Sequence, residues 1–90
     1  MVPRIFCDFN NLVGPATYSL NAVGSRADLE RLGTVLVSGI SAVFYDYDEF
    51  DNGDPAWLLA DGVVETHPTH ELVAHVDPES FRWEPRVEED

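Results

Sequence analysis

Ile40-Ser41-Ala42-Val43-Phe44-Tyr45-Asp46-Tyr47 is the stretch that decides the fold. Successive side chains of a strand point to opposite faces, so Ile40, Ala42 and Phe44 share one side and Val43, Tyr45 and Tyr47 the other. Both sides are apolar, the pattern of a strand covered on two faces, and the stretch is predicted to be central to a sheet. Upstream, Ser38-Gly39 reads as a tight turn after Thr34-Val35-Leu36-Val37. Downstream, the acidic residues are predicted to form a loop closed by the turn formers Asn52-Gly53-Asp54-Pro55. Residues 57–66 return as strand, interrupted at Asp61-Gly62, which reads either as a two-residue hairpin turn or as a glycine bulge.

Further from the centre the same period continues. Residues 4–10 alternate Ile5, Cys7 and Phe9 against polar neighbours, and residues 16–21 place Tyr18 and Leu20 on one side. Asn10-Asn11 and Gly14-Pro15 bracket a loop between them. One short helix is predicted over about residues 25–32. Ser25 would be its cap, Asp28 would suit its positive end, Leu29 and Leu32 would dock on the core, and Gly33 would be its stop. After the His67-Pro68-Thr69-His70 turn, residues 71–76 form a further strand. Asp77 then caps a single helical or 3₁₀ turn with Pro78 in the tolerated first position. Phe81 and Trp83 fold back onto the core, and residues 84–90 are predicted to be a flexible acidic tail on a single β-rich domain of residues 1–83.

Leu36-Val37-Ser38-Gly39 before a strand, an acidic turn, Asp61-Gly62-Val63-Val64-Glu65, a short turn and Leu72-Val73-Ala74-His75-Val76-Asp77-Pro78 follow one another in a recurring order. Over about residues 35–83 this order resembles the strand meander of small SH3-like barrels. The resemblance implies a mainly β fold, a five-stranded antiparallel barrel or strongly bent sheet with one short helix. It does not imply one function, because such barrels bind peptides, RNA, methylated tails or partner subunits.

Charge changes abruptly at the midpoint. Residues 1–45 balance Arg4, Arg26 and Arg31 against Asp8, Asp28 and Glu30, so the whole net charge of −12 belongs to residues 46–90. Lysine is absent, which removes Schiff-base chemistry and the phosphate-gripping lysine of a P-loop. A phosphate backbone requires a basic stripe, and five scattered arginines do not make one, so direct nucleic-acid binding is excluded. The single cysteine rules out an intramolecular disulfide framework and fits either a reducing compartment, the cytoplasm being favoured, or a secreted chain that needs no bridge. Met1-Val2-Pro3-Arg4 leads straight into a strand-like segment, with no signal-like apolar region and no membrane-spanning run.

The acids are densest at Asp46, Asp48, Glu49, Asp51 and Asp54, around Tyr47 and Phe50. A calcium loop needs oxygen ligands at its first, third and fifth positions, and Phe50 breaks the pattern in either register. His67, His70 and His75 lack the converging partners of a zinc site, since Cys7 belongs to an apolar strand face. No cofactor motif is present. The leading expectation is therefore a non-enzymatic acidic module, in one version a nucleic-acid mimic, that binds a basic peptide or protein surface through Asp46, Tyr47, Asp48, Phe50, Asp51 and Trp57, with Trp83 also near that face. The alternative is a metal-dependent or hydrolytic enzyme using the loop carboxylates and the three histidines. Phe50 and Trp57 are hard to bury in ninety residues, so homo-oligomerisation is a third option.

Overall fold

The computed structural model describes residues 2–32 and 39–87. The helix stop assigned to Gly33, the Thr34-Val35-Leu36-Val37 run, Ser38 and the tail residues 88–90 lie outside them. Among the described residues, seven strands form one mixed sheet: β1 (Arg4–Phe6), β2 (Leu12–Gly14), β3 (Thr17–Ser19), β4 (Ile40–Glu49), β5 (Pro55–His67), β6 (Glu71–Val76) and β7 (Arg82–Pro85). Helix α1 (Val23–Arg31) lies between β3 and β4, and a 3₁₀ turn (Pro78–Ser80) between β6 and β7.

The sheet runs in the order β1-β4-β5-β6-β3-β2, with β7 beside β5. The path does not close, and β1 runs parallel to β4, so the five antiparallel strands expected from the sequence become seven strands of mixed direction. Extra strands arise where turn residues had suggested only loop: Leu12 and Gly14 pair with Tyr18 and Thr17. The sheet is nonetheless bent. Laid flat, six strands would hold β1 and β2 about 24 Å apart, whereas the six residue steps from Phe6 to Leu12 reach at most about 21 Å. Phe9, on that short connection, meets Tyr18 at 5.3 Å and Phe81 at 5.2 Å between ring centroids. The concave side encloses Ile5, Cys7, Leu20, Ala42, Phe44, Ala60, Val64, Ala74 and Val76. Full burial of Phe44 or Ile5 contributes roughly 1.5–3 kcal/mol each.

β4 is an interior strand, as its two apolar faces predict, but it extends through the acidic residues as far as Glu49. The connection to β5 is correspondingly short. Phe50 N donates to Asp54 O at 2.8 Å and Gly53 N to Phe50 O at 2.8 Å. Asp61-Gly62 is neither a hairpin turn nor a bulge. Both residues sit in unbroken register, Asp61 opposite Val43 and Gly62 between Ala42 and Val76. Gly62 is there because β6 approaches closely: a Cβ at this position would lie 2.3 Å from His75 O. The same edge of β5 then accommodates β7, whose Glu84 and Pro85 pair with Trp57 and Ala56. Strand structure thus includes two residues that the sequence assigned to the tail, because the edge of β5 beyond the 3₁₀ turn offers backbone partners.

Helix α1 starts earlier than predicted, and Ser25 is not its cap. The N-cap position is Ala22, which offers no side-chain bond. Ser25 and Asp28 instead face β1, where Ser25 Oγ donates to Phe6 O and Phe6 N donates to Asp28 Oδ2 at 2.8 Å. Phe6 points both of its backbone groups away from β4, so two helix side chains occupy the place of a neighbouring strand. Water can satisfy exposed first-turn amides, whereas a buried strand edge needs protein partners, and that difference decides where the two side chains go. Leu29 packs against the core as predicted, while Leu32, just past the helix end, does not join it and stays 39% exposed.

Candidate functional site

The pleat of the β4–β5 hairpin separates the six residues singled out by the sequence. Tyr47 pairs directly with Trp57, and their rings lie 5.1 Å apart on the convex face. Phe6 joins them at 5.8 Å from Tyr47, and Tyr45 lies 5.3 Å from Trp57. Arg86 covers this cluster, its guanidinium 5.2 Å from the Tyr47 centroid and 5.4 Å from that of Trp57. Tyr47 and Trp57 therefore already hold a cation supplied by this chain.

Asp46 and Asp48 point to the opposite face. Asp46 accepts from Phe9 N at 3.2 Å and Tyr47 N at 2.7 Å, which ties the segment after β1 to β4. Burial raises its carboxyl above the usual range, and the nearby Asp8 and Asp48 push the same way against those two hydrogen bonds. Asp48 behaves oppositely. It accepts from Trp83 Nε1 at 2.7 Å and from Glu49 N at 2.9 Å, and the indole bond is the main reason its carboxyl falls below the usual range.

Trp83 completes a surface groove of about 480 Å³ with Asp48, Glu49, Phe50 and Asp51. The structure thus brings Asp48, Phe50 and Asp51 together with Glu49 and Trp83, while Asp46, Tyr47 and Trp57 do not line this groove. Trp83 is 55% exposed beside three carboxylates. Trp83 was expected near the acidic face, and the pairing of residues 82–85 with β5 that brings it into the groove was not. The alternation Phe81-Arg82-Trp83-Glu84 was the available signal.

The other chemistry-bearing groups are committed to the fold. Cys7 is fully buried, and burial, reinforced by Asp46 and Asp8, drives its thiol far above the ordinary range, so it is no nucleophile. His67 Nδ1 accepts from Thr69 N at 3.1 Å and His70 N at 3.3 Å, closing the β5–β6 turn. His75 lies apart from that turn, its Nδ1 3.1 Å from Thr17 Oγ1 and 4.0 Å from Glu65 Oε2. Thr17 donates its hydroxyl proton to Pro15 O at 2.8 Å. Among the described residues no three His, Cys, Asp or Glu side chains converge on a common metal position. No described helix is long and apolar enough to cross a membrane.

Comparison of the chain with protein-family models, curated proteins and solved structures finds no match.

Proposed function

We propose that this chain is a non-enzymatic interaction module whose β4–β5 hairpin captures a basic peptide or the basic surface of a partner protein. The observation that carries the proposal is the groove in which Asp48, Glu49 and Asp51 surround the exposed indole of Trp83 and the ring of Phe50. An arginine or lysine entering it meets an aromatic surface and carboxylates together, which combines cation–π attraction with charge-assisted hydrogen bonds. The bond from Trp83 Nε1 to Asp48 holds the indole in place before the partner arrives. The surrounding charge of −12 steers cationic partners inward. The likeness to SH3-like barrels belongs to the same proposal. It is supported by the order β4, β5, β6, 3₁₀ turn and β7 around one bent core.

Fluorescence anisotropy with a labelled arginine-rich peptide tests the reading. The expected dissociation constant is on the order of micromolar at low salt, and it should weaken about ten-fold at several hundred millimolar salt as the charges are screened. Trp83→Ala and the Asp48→Asn, Asp51→Asn double variant should each lose about ten-fold at low salt. Equal binding by all three proteins, or by an uncharged peptide of the same length, would rule the module out.

A further inference from the structure

A second site, independent of the acidic groove, lies where α1, β1, β4 and β5 meet. Arg31 from the helix, Arg4 from β1, Tyr45 from β4 and Trp57 from β5 line a pocket of about 220 Å³. Two of the five arginines of a strongly acidic chain thus converge beside two aromatic rings. We infer that this pocket binds a small planar monoanion, an aromatic carboxylate, with its carboxylate on Arg4 and Arg31 and its ring against Tyr45 and Trp57.

Four observations select that ligand class. Tyr45 and Trp57 meet edge to face, 5.3 Å apart and 85° between planes, so their shapes are fixed by each other before a ligand arrives. The Tyr45 hydroxyl donates to Asp28 Oδ2 at 2.6 Å, while Arg31 donates to Asp28 Oδ1 at 2.8 Å, and the buried Asp28 therefore anchors both pocket walls. A guanidinium has five N–H donors in a planar fork, so one bond to Asp28 leaves Arg31 able to grip another carboxylate. Finally, the chain supplies a precedent at this position. Glu84, paired with Trp57 across β5 and β7, sets its carboxylate 3.6 Å from Arg4, with both side chains about half exposed. So long and solvated an ion pair contributes little and yields readily to a competitor.

Size and field exclude larger anions. Pockets for drug-sized ligands begin at about 300 Å³, so most of a nucleotide would lie outside this one. The net charge of −12 repels a polyanion while tolerating a single carboxylate between two guanidinium groups.

The test is a titration of the ¹⁵N-labelled 90-residue chain with sodium benzoate at constant ionic strength, following the Trp57 indole N–H and the arginine Nε–H resonances. Saturable shifts at these groups are expected, with a dissociation constant of roughly 1–10 mM. Benzamide, cyclohexanecarboxylate and inorganic phosphate should each bind at least about five-fold more weakly, because each lacks either the charge or the ring. Arg4→Gln, at a half-exposed position, should weaken benzoate binding about five-fold. Glu84→Gln should tighten it about two-fold by removing the internal competitor. Non-saturating shifts, equal shifts with benzamide, cyclohexanecarboxylate or phosphate, or a Glu84→Gln variant that binds no better than wild type would each overturn the assignment.

Discussion

Asp28 carries more structural duties than its position in a short helix suggests. Its carboxylate, 5% exposed, accepts from the backbone of β1, the hydroxyl of Tyr45 and the guanidinium of Arg31. Removing it strands a strand-edge amide, a half-buried phenol and a cation at once. Asp28→Ala is therefore expected to lower unfolding free energy by about 3 kcal/mol, and Ser25→Ala, which orphans a single carbonyl, by about 1 kcal/mol. Urea denaturation checks both values. If the two variants were equally mild, the two side chains would not act as a substitute strand. Tyr45 registers the same arrangement: burial and its bond to Asp28 raise the phenol above its ordinary range, keeping it a neutral donor. Asp46 gives a prediction of opposite sign. Its folded-state carboxyl binds its proton more tightly than an unfolded one near ~3.9. Its favourable contribution is therefore complete below that unfolded value and is lost as pH rises through the raised folded value. Asp46→Asn should raise the melting temperature at pH 7 and leave it nearly unchanged at pH 3, because the Asn carbonyl still accepts one of the two amides. A gain of equal size at both pH values would show that the charge is not the cause.

At the scale of elements, the two glycines of the hairpin do different work. Gly53 has φ +89° and open space where a Cβ would sit, so Gly53→Ala meets backbone strain alone, about 1 kcal/mol. Gly62→Ala would force β5 and β6 apart, because the new methyl lands on His75 O and 2.9 Å from Val76 Cα. A loss of at least about 2 kcal/mol is expected, and thermal or urea unfolding of the two variants should rank them in that order. A loss no greater at Gly62 than at Gly53 would mean that the strands separate without strain. This contrast also shows what the sequence made legible. The alternation of residues 40–47 was enough to place β4 inside the sheet, since it depends only on neighbours along the chain. Asp61-Gly62 has the composition of a turn, and the reason for its glycine lies on β6, thirteen residues onward at His75. Ser25 failed as a cap for the same reason, its partner Phe6 being nineteen residues away. In the candidate site, Asp48, Phe50 and Asp51 were legible because they share one hairpin end. Trp83 was legible only as an aromatic near the acids; its seat in the groove was not, because it arrives from a strand whose pairing the chain does not announce locally.

The whole molecule carries its charge of −12 within a Cα radius of gyration of 13.0 Å. Screening reaches over about 30 Å at 0.01 M salt but only about 10 Å at 0.1 M. At the lower salt nearly every carboxylate therefore repels every other one across the fold, whereas at the higher salt only neighbours do. The folded state confines these charges more closely than the unfolded chain, so self-repulsion subtracts from stability and salt restores it. Raising sodium chloride from about 0.01 to 0.15 M should increase stability by about 1 kcal/mol, or roughly 4–8 °C in melting temperature for a domain of this size. Glu49 and Asp51 localise the effect, because both are exposed near the hairpin end where the acids are densest. The Glu49→Gln, Asp51→Asn variant should melt above wild type at 0.01 M, and the two curves should converge near 0.5 M as the field is screened. A gap that persists at high salt would trace the gain to local contacts. Convergence would show that the hairpin holds these acids against the stability of the fold, as expected of a surface whose carboxylates serve an incoming cation.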